Sequence, residues 1–183
     1  MFKRIVITNR NLCERPFLEQ LERIIKQVDM IVLREKDLPE SEYGLLAREV
    51  LALGQAHRIP CVLHTHVAMA RRLGCTAIHL PLPLLEQWTE NLSDFTIIGS
   101  SVHSVDEARR AQSLGADYLM AGHVFATDCK KGLPPRGLAF LKEVCEAVSV
   151  PVYALGGITE ETEPLIRACG AKGACRMSDY MKG

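Results

Sequence analysis

A histidine stands directly after a short apolar run, at the start of a long polar loop. The run, residues 117–121, has the length and bounding glycine of a buried parallel strand; Gly122 ends it, and His123 follows. An imidazole with an ordinary pKa of about 6.5 can accept and return a proton near neutral pH. The loop continues with the candidate binding residues Thr127, Cys129, Lys130 and Lys131. Loops of this length are more often functional than not, so we expect chemistry here.

The composition favours one domain, residues 1–183, that acts on a small molecule or contacts another protein. Acidic and basic residues balance at 22 each, so no net field attracts nucleic acid or an anionic membrane. No signal-like segment opens the chain, and no apolar run reaches the roughly 18–20 residues that span a bilayer. We therefore expect a cytoplasmic protein without nucleic-acid or membrane partners, and self-association into a homo-oligomer stays open.

Short apolar runs alternate with amphipathic stretches along the whole chain, which is typical of parallel strands joined by helical crossovers. The predicted strands are 4–8, 30–33, 61–63, 77–80, 96–101, 118–121, 152–155 and 174–177. The predicted helices are 16–28, 41–57, 66–73, 84–90, 105–114, 138–148 and 160–169. Eight units favour an α/β fold of the (β/α)₈ TIM barrel class over an open doubly wound sheet, which the pattern leaves open. Too few residues follow the last strand for a full eighth helix.

In such a barrel the reactive groups belong at the carboxyl ends of the strands. Arg34 and Lys36 follow the second strand, Ser101 and His103 the fifth, Gly156 and Gly157 the seventh, and Met177 and Ser178 the eighth. Paired glycines let backbone N–H groups approach an anion, which predicts a phosphate site after strands seven and eight. A tight turn is the alternative, and the negative charge of Asp179 opposes an anion there.

Other polar residues near the strand ends have ordinary structural interpretations. The charged residues around Glu35 can form a solvated cluster instead of a binding site. His64 and His66 lack a metal-ligating partner at a recognisable spacing, so a helix-start loop is favoured and no metal site is predicted. His103 precedes Ser104, which is placed to cap a helix in front of Glu107.

Four segments resemble one protein family. GHVFATDCKKG at 122–132 resembles the sixth strand and loop of the thiazole tautomerases, the TenI-like branch of a superfamily that also contains the thiamine phosphate synthases. The other similar segments are the R-E-K at 34–36, GSSVHSVDE at 99–107, and ALGGIT at 154–159 with Met177-Ser178. The resemblance covers nearly the whole chain and implies the barrel fold.

The resemblance also implies which branch of the superfamily to expect. A synthase joins a pyrimidine diphosphate to a thiazole phosphate with magnesium, which is held by aspartates after strands three and four, and it carries a glutamine in strand two. Thr65, Leu84 and Val32 stand at those places here. The residue after Gly122 is usually proline in synthases and histidine in tautomerases.

By the same resemblance, a tautomerase aromatises a carboxythiazole phosphate by moving a proton from a ring carbon to an exocyclic carbon. This implies that His123 carries the proton and that no metal or cofactor is needed. Arg34, Lys36, the loop lysines and the glycine amides are then the donors for the substrate carboxylate and phosphate. A synthase-like enzyme, a degenerate barrel that binds a phosphate ligand without turnover, and a regulatory partner in thiamine synthesis stay open as alternatives.

One charged residue interrupts an otherwise apolar strand. Arg176 stands in the predicted eighth strand, and a buried arginine needs a partner. Because the eighth helix is short, we expect Arg176 to point outward to the uncovered face, or else inward as an additional anion contact.

Overall fold

The strands of the chain close into a parallel barrel. The computed structural model describes residues 1–127 and 132–182. The strands are β1 (Lys3–Ile7), β2 (Met30–Leu33), β3 (Cys61–His64), β4 (Ala77–Pro81), β5 (Ile97–Val102), β6 (Tyr118–Gly122), β7 (Val152–Leu155) and β8 (Gly173–Arg176). Each strand pairs in parallel with the next, and β8 pairs with β1. The predicted TIM barrel is confirmed.

Helices connect the strands on the outside of the barrel. They are α1 (Phe17–Ile24), α2 (Glu40–His57), α3 (Val67–Arg72), α4 (Leu82–Trp88), α5 (Val105–Ser113), α6 (Gly137–Ala147), α7 (Glu163–Ala168) and α8 (Ser178–Met181). Short 3₁₀ segments at Arg10–Leu12, Ile25–Gln27 and Thr89–Asn91 complete the connections. The final helix is a single turn, as predicted from the short C-terminal segment. Within the described ranges, no helix is both long and apolar enough to cross a membrane.

The strands are stable because both of their faces are buried. Every residue of β2 and of β6 is shielded from solvent, one face by the barrel interior and the other by the helix layer. Aromatic rings fill part of the interior: Tyr118 of β6 packs on Tyr153 of β7, with 5.2 Å between ring centroids. This packing fills the barrel interior between β6 and β7.

The capping of α5 follows the local sequence. Ser104 is its N-cap, and its hydroxyl accepts a hydrogen bond from the Glu107 backbone N–H at 3.1 Å. Glu107 reaches back and accepts from the His103 N–H at 2.6 Å. The predicted capping arrangement is confirmed, and it holds the loop after β5 against the start of the helix.

Arg176 lies at the end of β8 and is almost fully buried. Its Nη2 donates to Glu163 Oε2 of α7 at 3.0 Å, so the guanidinium is directed outward into the helix layer. The guanidinium points outward, as one of the two alternatives predicted, but the uncovered face expected there was wrong, because Glu163 of α7 covers the arginine. Glu163, itself 7% exposed, was not anticipated as the partner because it lies 13 residues earlier on a different element.

Candidate functional site

One cavity of about 350 Å³ occupies the carboxyl end of the barrel. All predicted site residues within the described ranges line it, and these are Arg34, Lys36, Ser101, His103, His123, Thr127, Gly156, Gly157, Met177 and Ser178. Cys129, Lys130 and Lys131 lie outside the described residues. Residues from five strand ends thus converge on one space, as expected for a barrel active site. Apolar side chains such as Ile7 and Leu155 form part of its wall.

His123 is buried at the junction of β6 and β7. It is 8% exposed, and its Nε2 lies 3.3 Å from the Leu133 carbonyl oxygen. A carbonyl only accepts, so in the neutral ring Nε2 carries the hydrogen and Nδ1 keeps the lone pair. Gly156 packs directly on this residue: a β-carbon there would overlap the β-carbon of His123. The site therefore requires glycine at 156 if the imidazole is to keep its position.

The turn after β7 has the features of an anion cradle. Gly156 and Gly157 have φ of +97° and +63°, which L side chains rarely adopt. Thr159, which also lines the cavity, has a buried hydroxyl oxygen with no hydrogen-bond partner in the described part of the chain. A buried hydroxyl without a partner is costly, so a ligand oxygen at this end would satisfy it.

Asp179 is the one carboxylate that the described residues contribute to the cavity wall. Its Oδ2 lies 4.0 Å from Nη1 of Arg176, which also borders the cavity. Arg176 is shared with the nearer carboxylate of Glu163 at 3.0 Å, so it offsets the charge of Asp179 only in part. The negative charge of Asp179 therefore still opposes a phosphate at the start of α8.

On the side of the cavity opposite β7, hydrogen bonds and an ion pair join the loop after β2 to the loop after β1. Glu35 is 2% exposed, and its carboxylate accepts from the Arg10 backbone N–H at 3.0 and 3.1 Å. The Arg10 guanidinium donates two hydrogen bonds to the Asp37 carboxylate, at 2.7 and 2.8 Å. This pairing raises the pKa of Arg10 and lowers that of the exposed Asp37. With Glu35 turned toward Arg10, its neighbours Arg34 and Lys36 reach the cavity.

Two histidines of the cavity wall were missed as site residues. The prediction that His64 belongs to a helix-start loop was wrong, because it is the last residue of β3; His66 does precede α3, as its N-cap. His79 lies within β4, and both His64 and His79 line the cavity. The sequence contained a signal for His79. Side chains alternate between the two faces of a strand, so His79 lies on the same face as Pro81 at the strand end.

Burial keeps both of these imidazoles neutral. Desolvation lowers the pKa of His79 to about 3. Desolvation, and then the charges of His79 and Arg34, lower the pKa of His64 to about 2. His79 is fixed on both sides: Nδ1 lies 3.1 Å from the Tyr118 hydroxyl and Nε2 lies 2.7 Å from Ser101 Oγ.

The residues present do not fit a magnesium ion after strands three and four. Magnesium prefers carboxylate oxygens, but Thr65 stands after β3 and its hydroxyl donates to the His64 carbonyl at 2.6 Å. Leu84 lies in α4 at the other position. Across residues 1–127 and 132–182 no three acidic, histidine or cysteine side chains cluster as metal ligands would.

The sequence model of the thiamine monophosphate synthase family matches residues 5–179. The chain belongs to the thiamine monophosphate synthase family. A putative thiamine-phosphate synthase 2 of Aquifex aeolicus is 36% identical over 178 residues, with 96% of each chain covered. A thiamine-phosphate synthase of Syntrophomonas wolfei is 32% identical, with 96% of this chain and 87% of the relative covered.

Solved structures agree with the family assignment. A thiamine phosphate pyrophosphorylase from Pyrococcus furiosus superposes with a TM-score of 0.88 at 30% identity, covering 100% of this chain and 88% of that one. A 3-hexulose-6-phosphate synthase, at 18% identity and a TM-score of 0.69, shares the fold. The predicted superfamily is confirmed. The tautomerase branch within it is a finer prediction that these similarities leave undecided.

Proposed function

We propose that this member of the thiamine monophosphate synthase family is an isomerase of thiamine biosynthesis that aromatises a carboxythiazole phosphate tautomer. The observation that carries the proposal is His123, a buried imidazole at the end of β6 that lines the cavity with its Nδ1 lone pair available. Acid–base groups of near-neutral pKa contribute typically 10²–10⁴-fold to proton-transfer rates. The reaction needs such a group and no hard cation.

The proposed reaction is a proton shift with no net oxidation. His123 Nδ1 takes the proton from the ring carbon that bears the carboxylate, and the electron pair moves into the ring as the exocyclic double bond shifts. The resulting imidazolium returns the proton to the exocyclic carbon, which completes the aromatic ring and restores neutral histidine. One residue thus serves as base and then as acid.

The two anionic groups of the substrate have separate anchors in this proposal. The phosphate lies at Gly156 and Gly157, where the buried Thr159 hydroxyl lacks a partner among the described residues. The carboxylate lies toward Arg34 and Lys36 on the opposite wall. Holding the substrate at both ends fixes the ring carbon relative to His123, which is the positioning that proton transfer requires.

A synthase function is the second candidate, favoured by the printed names of the relatives. Magnesium would neutralise the pyrophosphate leaving group of that reaction, and Thr65 and Leu84 do not supply its ligands. A third alternative is a barrel that binds the phosphate without turnover. Asp179 in the cavity wall favours that reading.

One experiment separates these functions. The purified full chain, treated with a chelator, is mixed with the non-aromatic carboxythiazole phosphate, and aromatisation is followed by proton NMR. We expect complete conversion without metal. Formation of thiamine phosphate from a pyrimidine diphosphate and a thiazole phosphate only when magnesium is added would establish the synthase instead. Binding without conversion in either assay would indicate the degenerate barrel.

A further inference from the structure

His64 is a buried side chain of the cavity wall for which the proton shift has no use. It is 6% exposed, and it ends β3. Among residues 1–127 and 132–182, no hydrogen bond reaches either of its ring nitrogens, although its backbone N–H donates to the Tyr43 hydroxyl at 3.1 Å. A neutral imidazole always carries one N–H donor and one acceptor. Because His64 lines the cavity, a ligand bound there can complete these hydrogen bonds.

The ring of His64 rests on a fixed platform. It stacks on His79, with ring centroids 5.5 Å apart and an interplanar angle of 21°. His79 is in turn held by Tyr118 and Ser101. A side chain kept in place by a ring that is itself hydrogen-bonded on both sides loses little conformational entropy on binding, which is what a specificity contact needs.

The charges around His64 indicate what it would contact. After desolvation, the neighbouring charges that lower the pKa of His64 include those of Arg34 and Lys36, and both of these β2-loop cations line the same cavity. Because protonation is suppressed, the ring offers a neutral N–H instead of a third positive charge. A neutral N–H donor beside two cations suits a ligand group whose anionic oxygens contact the donor and the cations together.

We propose that His64 is a specificity residue that donates a hydrogen bond from its imidazole to the substrate carboxylate, beside Arg34 and Lys36. The proposal rests on the proposed function, since it takes the carboxythiazole phosphate as the ligand. It assigns the β3 end to carboxylate recognition, which separates it from the phosphate end at β7. The site then discriminates between thiazole phosphates with and without a carboxylate, because only the carboxylated ligand supplies an acceptor for the imidazole N–H.

The test compares two ligands on matched variants by isothermal titration calorimetry. The ligands are the aromatic carboxythiazole phosphate and the same thiazole phosphate without the carboxylate. His64→Phe keeps a ring on His79 but removes both nitrogens, and His64→Asn restores a donor. His66→Phe is the control, because His66 packs on Tyr43 at 4.1 Å and does not line the cavity.

We expect His64→Phe to raise the Kd of the carboxylated ligand roughly 10- to 100-fold, the range of one hydrogen bond to a charged group. The Kd of the ligand without the carboxylate should rise less than about threefold. His64→Asn should recover part of the loss, and His66→Phe should bind both like the parent. Equal weakening of both ligands, or unchanged affinity of His64→Phe for the carboxylated one, would overturn the proposal while the proposed function stands. If the parent chain binds neither ligand, both fail.

Discussion

Replacing Gly156 by alanine tests whether the turn after β7 positions His123. Alanine at φ +97° costs about 1–2 kcal/mol of folding free energy, as left-handed backbone does for L residues. The new β-carbon would also lie 2.8 Å from the His123 Cα, whereas carbon atoms in contact stay about 3.5–4.0 Å apart. His123 must therefore move by about 1 Å. A misplacement of that size can lower a rate by about 10²-fold.

Gly115 provides a matched control for this substitution. Its φ is +88°, and a β-carbon there meets nothing within 4 Å, so Gly115→Ala carries the backbone cost alone. Gly115→Ala should lose about 2–8 °C of melting temperature, since 1 kcal/mol corresponds to about 2–4 °C at this chain length, and Gly156→Ala should lose at least as much because of the added overlap with His123. Single-turnover aromatisation should fall about 10²-fold in Gly156→Ala only. Equal rates in the two variants would refute the coupling between the turn and the imidazole.

Two further predictions concern buried ionisable groups. Glu163→Ala leaves Arg176 buried without its 3.0 Å partner and should lower the free energy of unfolding by about 3–5 kcal/mol, whereas Glu160→Ala, with its side chain 90% exposed, should cost less than about 0.5 kcal/mol in urea unfolding. His79 has a native pKa of about 3 against about 6.5 unfolded, so the unfolded chain binds the proton first and stability falls from about pH 6.5 toward pH 3. At pH 5 the protonation of unfolded His79 should lower the free energy of unfolding by on the order of 2 kcal/mol, and His79→Gln should remove this loss. An unchanged pH dependence of stability in the variant would contradict the prediction.

The barrel was predictable because each strand is a short apolar run between amphipathic stretches, a pattern that parallel sheets with two buried faces require. The strand-end positions of Arg34, Ser101 and Gly156 followed from that pattern. These residues converge on one cavity because the barrel is closed. The sequence pattern implies that convergence only after the barrel fold has been inferred correctly.

What the sequence could not supply depends on contacts between distant residues. Glu163 as the partner of Arg176 requires knowing that α7 packs over β8. Arg10 as the partner of Glu35 joins loops 25 residues apart. His64 looked like loop because the predicted third strand stopped one residue early, and that single position decides whether its side chain faces the cavity.

The most direct test of the central claim is turnover by His123 variants. The non-aromatic carboxythiazole phosphate is given to the parent chain, to His123→Ala and to His123→Gln in deuterated buffer, and mass spectrometry follows the product and its deuterium content. We predict that both variants bind the product with near-parent affinity while aromatisation falls on the order of 10²–10⁴-fold. Parent-like rates in the His123 variants would contradict the assignment of His123 as the acid–base residue.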